Sequence, residues 1–206
     1  MATGLRERKK QQTRQAIHEA AMRLFAERGY DATTIADIAA AADISPRTFF
    51  SYFSAKEEVV FQKFEMAIEE FTRALRERPE GTTALEAMRA WIVREAHKYT
   101  PPAANVRLER ELRRESPAVA ACELRHREQY ERLLEEAVAD DLGEPVGALR
   151  PRMVAAAAIA ALTAAGDAAH AVLEQGEAAP PPTADPMAFL DDALTFLDAG
   201  LAALRS

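Results

Sequence analysis

Apolar residues recur at helical spacing along nearly the whole chain. The first such stripe lies on a helix predicted over residues 6–28 and consists of Ile17, Ala20, Ala21, Leu24 and Phe25. Helix-capping residues and prolines separate the stripes, as where Thr34 is followed three residues later by Asp37. No segment shows the alternating pattern of a β-strand, so the sequence predicts an all-α fold of about nine helices.

The second and third predicted helices are short and lie close together in the sequence. The expected ranges of all the predicted helices are residues 6–28, 35–42, 45–52, 54–76, 83–99, 105–114, 116–143, 149–175 and 187–204. Ser45 followed by Pro46 predicts the start of the third helix, because serine caps a helix and proline fits its first turn. Ser54 with Glu57 is a capping-box pattern that predicts the start of the fourth helix.

The second and third helices have the pattern of a helix-turn-helix DNA-binding motif. Both are short and amphipathic, a tight turn joins them, and a basic segment precedes them. A helical projection of the third helix places Phe49, Tyr52 and Phe53 on its inward face. The residues on the opposite arc, which would face DNA, are Arg47, Thr48, Phe50 and Ser51.

The charge distribution agrees with a DNA-binding segment at the front of an acidic protein. The formal net charge of the whole chain is −7 at pH 7. Residues 1–56 nevertheless carry nine basic and six acidic side chains, so the remainder has a net charge of −10. Only the front is therefore expected to contact an anionic polymer.

Several protein classes are excluded by what the sequence lacks. The chain has no apolar run near the ~20 residues that a membrane span needs, and its start lacks the apolar core of a secretory signal. We expect a cytoplasmic protein with no membrane partner. One cysteine, Cys122, excludes an internal disulfide and a multi-cysteine metal site, and we expect no cofactor and no metal.

The segment LFAERGYDATTIADIAAAADISPRTFFSYFSAKEEVV, residues 24–60, resembles the DNA-binding domain of the TetR family. The resemblance implies a homodimeric transcriptional repressor that binds double-stranded operator DNA. Its DNA-binding domain would span residues 1–56 and include a basic N-terminal tail. The residues to which it assigns DNA contacts are Arg14, Thr34, Ser45, Pro46, Arg47, Thr48, Phe50, Ser51, Tyr52 and Lys56.

Two positions of the third helix differ from the common family pattern. Many members have glycine where this chain has Arg47, and tyrosine where it has Phe50. The phosphate contact of the tyrosine hydroxyl is therefore absent here. Arg47 either replaces it, reads a guanine, or is a solvated residue on an exposed face.

For residues 57–206 the resemblance implies an effector-binding and dimerisation domain. The last helix carries leucines at alternating steps of four and three, which is typical of a seam between helices. The predicted dimer residues are Ala156, Ile159, Ala160, Leu190, Leu194, Leu197, Leu201 and Leu204. The alternative is that these two helices close the core of a single protomer.

A small, largely apolar effector is the expected ligand of the same domain. Its predicted contacts combine apolar walls with a few polar groups and are Phe64, Phe71, Met88, Trp91, Tyr99, Cys122, His126 and Tyr130. Aromatic residues at this spacing also occur in ordinary cores. The segments RERKK, ERGYDATT and SPRTFFSYF also resemble those of actinobacterial mycofactocin-system regulators, which implies an acyl-CoA-like effector. Arginines 107, 110, 113 and 114 would then lie either near its phosphates or on a solvated face.

Two other functions are compatible with the sequence. One is a DNA-binding regulator that has no effector and is controlled by a protein partner. The other is a carboxylate-bridged metal enzyme, since Glu123 and His126 have the Glu-x-x-His spacing of di-iron helical bundles. Two further carboxylate ligands are not evident, so we predict a regulator and not an enzyme.

Overall fold

The computed structural model describes residues 2–96, 103–175 and 186–205, and within these ranges the chain is helical with no strand. The helices are α1 (Ala2–Arg28), α2 (Ile35–Ala41), α3 (Pro46–Phe49), α4 (Phe64–Arg76), α5 (Ala84–Ala96), α6 (Ala103–Glu115), α7 (Pro117–Leu142), α8 (Leu149–Gln175) and α9 (Pro186–Arg205). A short 3-10 helix spans Glu57–Val59 between α3 and α4. The predicted all-α fold is confirmed.

The chain forms two compact units that do not follow the linear order of the sequence. The first unit contains Met1–Phe64 together with Arg107–Leu124, and the second contains Glu65–Val106 together with Arg125–Ser206. The domain boundary predicted after Lys56 remains a prediction. The contacts themselves show that the end of α6 and the start of α7 belong with the N-terminal helices.

A single apolar core holds the first unit together. Its buried members are Ile17, Ala21, Met22, Leu24, Phe25, Tyr30, Ile38, Phe49, Phe53, Val59, Val60, Leu112 and Val119. Leu112 of α6 and Val119 of α7 therefore pack with α1–α3 in the same core. We call the segment from Arg107 to Leu124 the α6–α7 elbow.

The second unit is held by buried apolar faces and by polar contacts between distant helices. Arg89 of α5 donates two hydrogen bonds to Asp191 of α9, with N···O distances of 2.8 and 2.9 Å. At the C-terminal end of α7, Asp141 accepts from Arg78 at 3.0 Å and from the backbone N–H of Ala84 at 2.7 Å. The start of α5 is thus fastened to α7, and its exposed side to α9.

The fourth helix starts later than the sequence predicts, and the capping box predicted at Ser54 and Glu57 is not formed. The chain makes the 3-10 helix Glu57–Val59 without a side-chain cap, and α4 begins only at Phe64. Glu57 instead accepts a hydrogen bond from the Tyr30 hydroxyl, with an O···O distance of 3.4 Å. Tyr30, which lies 27 residues earlier in the chain, thus binds the Glu57 carboxylate that the sequence pattern predicts as part of the cap. The third helix is also shorter than predicted, and turns continue it to Tyr52.

None of the helices in the described ranges combines the length and the apolarity that crossing a membrane requires.

Candidate nucleic-acid interface

The start of α2 is fixed by the capping box that the sequence predicts. The backbone N–H of Asp37 donates to the Thr34 hydroxyl at 3.1 Å, and the backbone N–H of Thr34 donates to the Asp37 carboxylate at 2.9 Å. The Thr34 hydroxyl also donates to the Asp37 carboxylate, and this contact, together with the bond from the Thr34 backbone N–H, holds the pKa of Asp37 below its usual range. Two backbone donors at the exposed helix start are satisfied in this way.

The turn between α2 and α3 is tight because Asp43 adopts a left-handed backbone conformation, with φ of 54°. The backbone N–H of Asp43 donates to the Ala40 carbonyl at 3.2 Å, and that of Ile44 donates to the Ala39 carbonyl at 2.9 Å. This hydrogen-bond pair is a Schellman motif, in which glycine is the usual left-handed residue and aspartate is tolerated. It ends α2 and directs the chain into α3.

Helix α3 is placed by its N-cap and by two buried aromatic rings. The Ser45 hydroxyl accepts from the backbone N–H of Thr48 at 3.0 Å, and Pro46 occupies the first turn. Phe49 is fully buried and Phe53 is 2% exposed, with their ring centroids 5.8 Å apart. These contacts anchor one face of a helix that is too short to be stable alone.

The opposite face of α3 is open to solvent, as the sequence predicts. Arg47, Phe50 and Ser51 are exposed, while Thr48 is half-buried and its hydroxyl shares a 2.8 Å hydrogen bond with Ser45. Tyr52 is also half-buried and lies at the edge between the two faces. Four candidate DNA-contacting side chains therefore follow one another along one arc.

Arg14 does not lie on this surface, so its predicted phosphate contact is corrected. The residue is only 7% exposed. Its guanidinium donates to the Tyr52 carbonyl and to the Gln62 carbonyl, both at 2.9 Å, and lies 4.3 Å from the centre of the Phe53 ring. Arg14 thus ties α1 to both ends of the segment that follows α3, and it positions the interface instead of contacting DNA.

The Lys56 side chain also forms hydrogen bonds within the first unit. Its ammonium group donates to the Tyr30 carbonyl at 2.7 Å and to the Thr33 carbonyl at 2.9 Å, and it lies 3.9 Å from the centre of the Tyr30 ring. Burial lowers the pKa of Lys56, an effect that nearby Asp31 and Glu57 oppose. Two of the three ammonium donors hold the α1–α2 loop, so the predicted phosphate contact rests on the third.

His18 is a positioning residue that the sequence patterns do not single out. It is buried on α1, and its Nδ1 lies 2.9 Å from the Val59 carbonyl in the 3-10 helix. Burial lowers the pKa of His18 below its usual range, and the hydrogen bond to Val59 partly offsets this. The sequence signal that could have identified His18 as buried is its position one turn before Met22, on the apolar side of α1.

The α6–α7 elbow contacts the α1–α2 loop through Tyr30. The Tyr30 side chain is hydrogen-bonded to Glu57 and to Ser116, the residue between α6 and α7. Burial and the charge of Glu57 raise the pKa of Tyr30. Arg113 of the elbow pairs with Glu123 at 3.3 Å and with Glu109 at 3.7 Å. Arg113 is therefore engaged by carboxylates of the first unit, and with 22% of its side chain exposed it does not lie on the solvated face that was the alternative to a CoA site.

The second unit brings together three of the predicted effector residues. Phe71 of α4, Trp91 of α5 and Tyr130 of α7 have ring centroids 4.8 to 5.9 Å apart. Phe71 and Met88 are fully buried in the core of the second unit, and their contact with an effector stays a prediction. Burial also raises the pKa of Tyr130.

A cleft of about 570 Å³ lies beside Trp91 in the second unit. Its lining residues are Glu70, Arg73, Ala74, Glu77, Arg78, Pro79, Thr82, Glu86, Ala87, Ala90, Trp91 and Arg94. The indole Nε1 of Trp91 is buried and has no hydrogen-bond partner among the residues that the structure describes. An unpaired buried donor of this kind is unusual in a folded protein.

The other predicted effector residues lie elsewhere or are not described. Phe64 and the fully buried Cys122 belong to the first unit, while the half-buried His126 belongs to the second. Glu123, the carboxylate of the metal alternative, is the ion-pair partner of Arg113. Tyr99 lies outside the described residues.

The predicted dimer residues divide into three groups. Ile159 and Leu194 are each 3% exposed, so both pack inside the protomer and are corrected as interface residues. Ala156 and Ala160 are exposed, and Leu197 is half-buried. The side chains of Leu190, Leu201 and Leu204 lie outside the described part of the chain.

Helices α8 and α9 nevertheless present exposed apolar stripes that the leucine pattern does not identify. The members on α8 are Leu149, Met153, Ala156, Ala157, Ala160 and Ala164, and those on α9 are Phe196, Ala199 and Ala202. Phe196 is 77% exposed and Leu149 is 71% exposed. We call these residues the α8–α9 face. Exposed apolar side chains at this density are typical of association surfaces.

Comparisons with known proteins match both parts of the chain. The profile of bacterial regulatory proteins of the tetR family matches residues 17–62, and that of the MftR C-terminal domain matches residues 82–202. The HTH-type transcriptional regulator TcmR of Streptomyces glaucescens is 44% identical over 85 residues, which cover 41% of this chain and 38% of TcmR. The HTH-type transcriptional regulator HbdR of Aromatoleum sp. (strain CIB) is 32% identical over 73 residues, covering 35% of this chain and 32% of HbdR.

The alignments with these two curated relatives thus span only about a third of their length, whereas solved structures match over most of the chain. Salmonella enterica GusR superimposes with a TM-score of 0.53 at 24% identity, covering 92% of this chain and 95% of GusR. The likeness to GusR concerns the fold alone. The MftR-type match by itself spans more than half of the sequence, and the N-terminal match lies on the helix-turn-helix. The chain therefore belongs to the TetR family of bacterial regulatory proteins and carries a C-terminal domain of the MftR type.

Proposed function

We propose that this protein is a transcriptional repressor that binds a palindromic operator as a homodimer and leaves it when a small effector binds. The observation that carries the proposal is the solvent-exposed arc of α3. Arg47, Phe50 and Ser51 are open to solvent on a helix whose other face is buried through Phe49 and Phe53. A short anchored helix with an exposed polar arc is how a helix-turn-helix protein presents side chains to the major groove.

Some side chains of the arc are expected to contact phosphates and others to contact base edges. Arg47→Ala should reduce the salt dependence of operator binding by ~0.9 for each phosphate that the arginine neutralises, hence up to ~1.8 in a symmetric dimer. Thr48→Ala should instead leave the salt slope nearly unchanged and reduce discrimination among operator variants by ~1–3 kcal/mol. Fluorescence anisotropy titrations at four salt concentrations, with an operator and single-base variants, measure both effects.

Arg132→Ala is the matched control for these variants, because it removes the same charge from an exposed position of α7 in the second unit. It should change neither quantity. Relaxed preference at a guanine in Arg47→Ala would make this arginine a base reader. If Arg47→Ala, Thr48→Ala and Ser51→Ala all bind like the control, α3 is not the recognition helix.

The effector site is proposed to be the cleft beside Trp91. A volume of about 570 Å³ falls in the range of small-molecule sites, ~300–1,000 Å³. Ala87, Ala90 and Trp91 give it an apolar side, and the arginines and glutamates of α4 and α5 give it a charged rim. A compound with an apolar body and a polar end would fit this lining.

Ligand binding at this cleft can be read directly, because Trp91 is the only tryptophan of the chain. Fatty acids, acyl-CoAs and hydrophobic drugs would be titrated while the fluorescence of Trp91 is recorded. A true effector should change the emission, stabilise the fold by ~2.7 kcal/mol at 100 times its Kd, and release operator DNA. Ala90→Phe, which fills the cleft, should prevent all three. A broad library without any such compound would favour a regulator that has no effector.

The dimer is proposed to form through the α8–α9 face. Packing this face against a second copy would bury Phe196, Leu149 and Met153, which are 60 to 77% exposed in one protomer. A stable interface buries ~1,200–2,000 Å² in total, and two long helices from each protomer provide a surface of this order. The alanines of α8 would let the helices of the two protomers approach closely.

A further inference from the structure

We infer that Phe50 recognises the 5-methyl group of a thymine in the major groove of the operator. The inference rests on the proposed binding of DNA through α3 and names a base feature that this helix reads. Phe50 would then be a specificity-determining residue, in addition to the polar side chains of the arc.

The first observation is the exposure of this ring. Phe50 is 56% exposed, whereas the adjacent Phe49 is fully buried. Its ring packs edge-on against Phe49, with centroids 5.6 Å apart and an interplanar angle of 85°. The exposed part of the ring is therefore held in a defined direction by the core of the first unit. Covering this exposed aromatic ring would remove apolar area from water and would therefore be favourable.

The second observation is the chemistry of its neighbours on the arc. Arg47 and Ser51 are exposed polar side chains, of the types that hydrogen-bond phosphates or base edges in protein–DNA complexes. Phe50 has no donor or acceptor, so it cannot take part in these contacts. Phosphates, the N7 and O6 acceptors of purines and the amino groups of adenine and cytosine would all lose water against the ring without gaining a hydrogen bond.

The thymine methyl group is the apolar feature that the major groove offers to such a ring. Covering it removes apolar area of both partners from water. A methyl group buried in this way contributes about a fourfold change in affinity. In a symmetric dimer the two half-sites together would contribute about sixteenfold.

The test compares thymine with uracil, which differ only in this methyl group. An operator selected with the wild-type protein would be synthesised with deoxyuridine in place of each thymine in turn, placed symmetrically in both half-sites. We expect one position at which uracil weakens wild-type binding about sixteenfold, while other positions change it less than twofold. Replacing the same thymine with cytosine should also weaken binding, and 5-methylcytosine at that position should restore part of the affinity relative to cytosine.

Variants of Phe50 assign the effect to this ring. Phe50→Ala should bind the thymine and uracil operators equally, and Phe50→Leu should keep part of the preference because it retains an apolar side chain. Arg132→Ala, the exposed control in the second unit, should keep both the affinity and the full preference for thymine. Because more than half of Phe50 is exposed, its variants should fold, and their circular dichroism spectra should match that of the wild type.

The possible failures are distinguishable. If no position discriminates thymine from uracil while the operator is still bound specifically, Phe50 does not read a methyl group, although α3 still reads DNA. If Phe50→Ala keeps the preference, another residue makes the contact and the inference is wrong. If the wild type binds no duplex in preference to others, the proposed function fails together with the inference.

Discussion

Replacing Arg14 with methionine is expected to destabilise the first unit by about 2–3 kcal/mol. The buried guanidinium donates to the carbonyls of Tyr52 and Gln62, and methionine would leave both acceptors without these partners. Arg14→Lys should have an intermediate effect, because an ammonium group cannot bridge two separated carbonyls as a guanidinium fork does. Hydrogen exchange of the amides in α1 and α3 would measure the stability of the first unit separately from that of the second.

The matched control is Arg23→Met, which makes the same substitution at an exposed position of the same helix. It should change stability by less than about 0.5 kcal/mol. Arg14→Met should in addition weaken operator binding at every sequence, because Tyr52 and the end of α3 lose their anchor to α1. Equal exchange rates in the two variants would show that Arg14 is not the link between these elements.

Phe196→Arg is expected to convert the dimer into monomers. A guanidinium at the centre of an apolar interface would have to be buried without a partner, which costs far more than the contact it replaces. Operator affinity should then fall by about 10²–10⁴, since each monomer binds a single half-site. Sedimentation velocity over a range of concentrations and operator titrations measure the two effects.

Two controls make this result specific to the α8–α9 face. Ala120→Arg adds the same charge to an exposed position of α7 and should leave the dimer intact. Leu194→Ala removes a side chain buried within the protomer, so it should lower the melting temperature while sedimentation still shows dimers. If Phe196→Arg sediments like the wild type, the two protomers meet elsewhere.

The features that the sequence predicts well are those whose physical cause is local. Thr34 and Ser45 cap their helices through residues three positions away, and the burial of Phe49 and Phe53 follows from helical spacing alone. The same holds for α8, whose limits at Leu149 and Gln175 agree with the prediction. Capping, proline placement and apolar periodicity act within one or two turns, so one sequence is enough to read them.

The features that it does not predict depend on partners far away in the chain. Arg14 binds carbonyls 38 and 48 residues later, and Lys56 binds carbonyls 26 and 23 residues earlier. Composition marks both residues as basic and therefore as candidates for phosphate contacts, although folding uses their charges internally. The inclusion of the α6–α7 elbow in the first unit is equally invisible to local patterns.

The leucine pattern of α9 shows a related limit. Periodicity correctly indicates that Leu194 lies on a buried stripe, but it does not indicate what covers the stripe. In the fold α9 packs on helices of its own protomer, including α5 through Asp191 and Arg89. The exposed apolar residues lie on other faces of α8 and α9, where most members are alanines and give a weaker signal than a repeat of leucines.

Selection of binding sites from random duplex DNA tests most directly whether α3 reads an operator as part of a dimer. Wild-type protein should enrich an inverted repeat of two half-sites separated by a fixed spacing. The double variant Arg47→Ala, Thr48→Ala should fold normally but fail to enrich this repeat, and Phe196→Arg should at most enrich an isolated half-site. Enrichment of the same repeat by the α3 double variant, or no enrichment by the wild type, would contradict the proposed function.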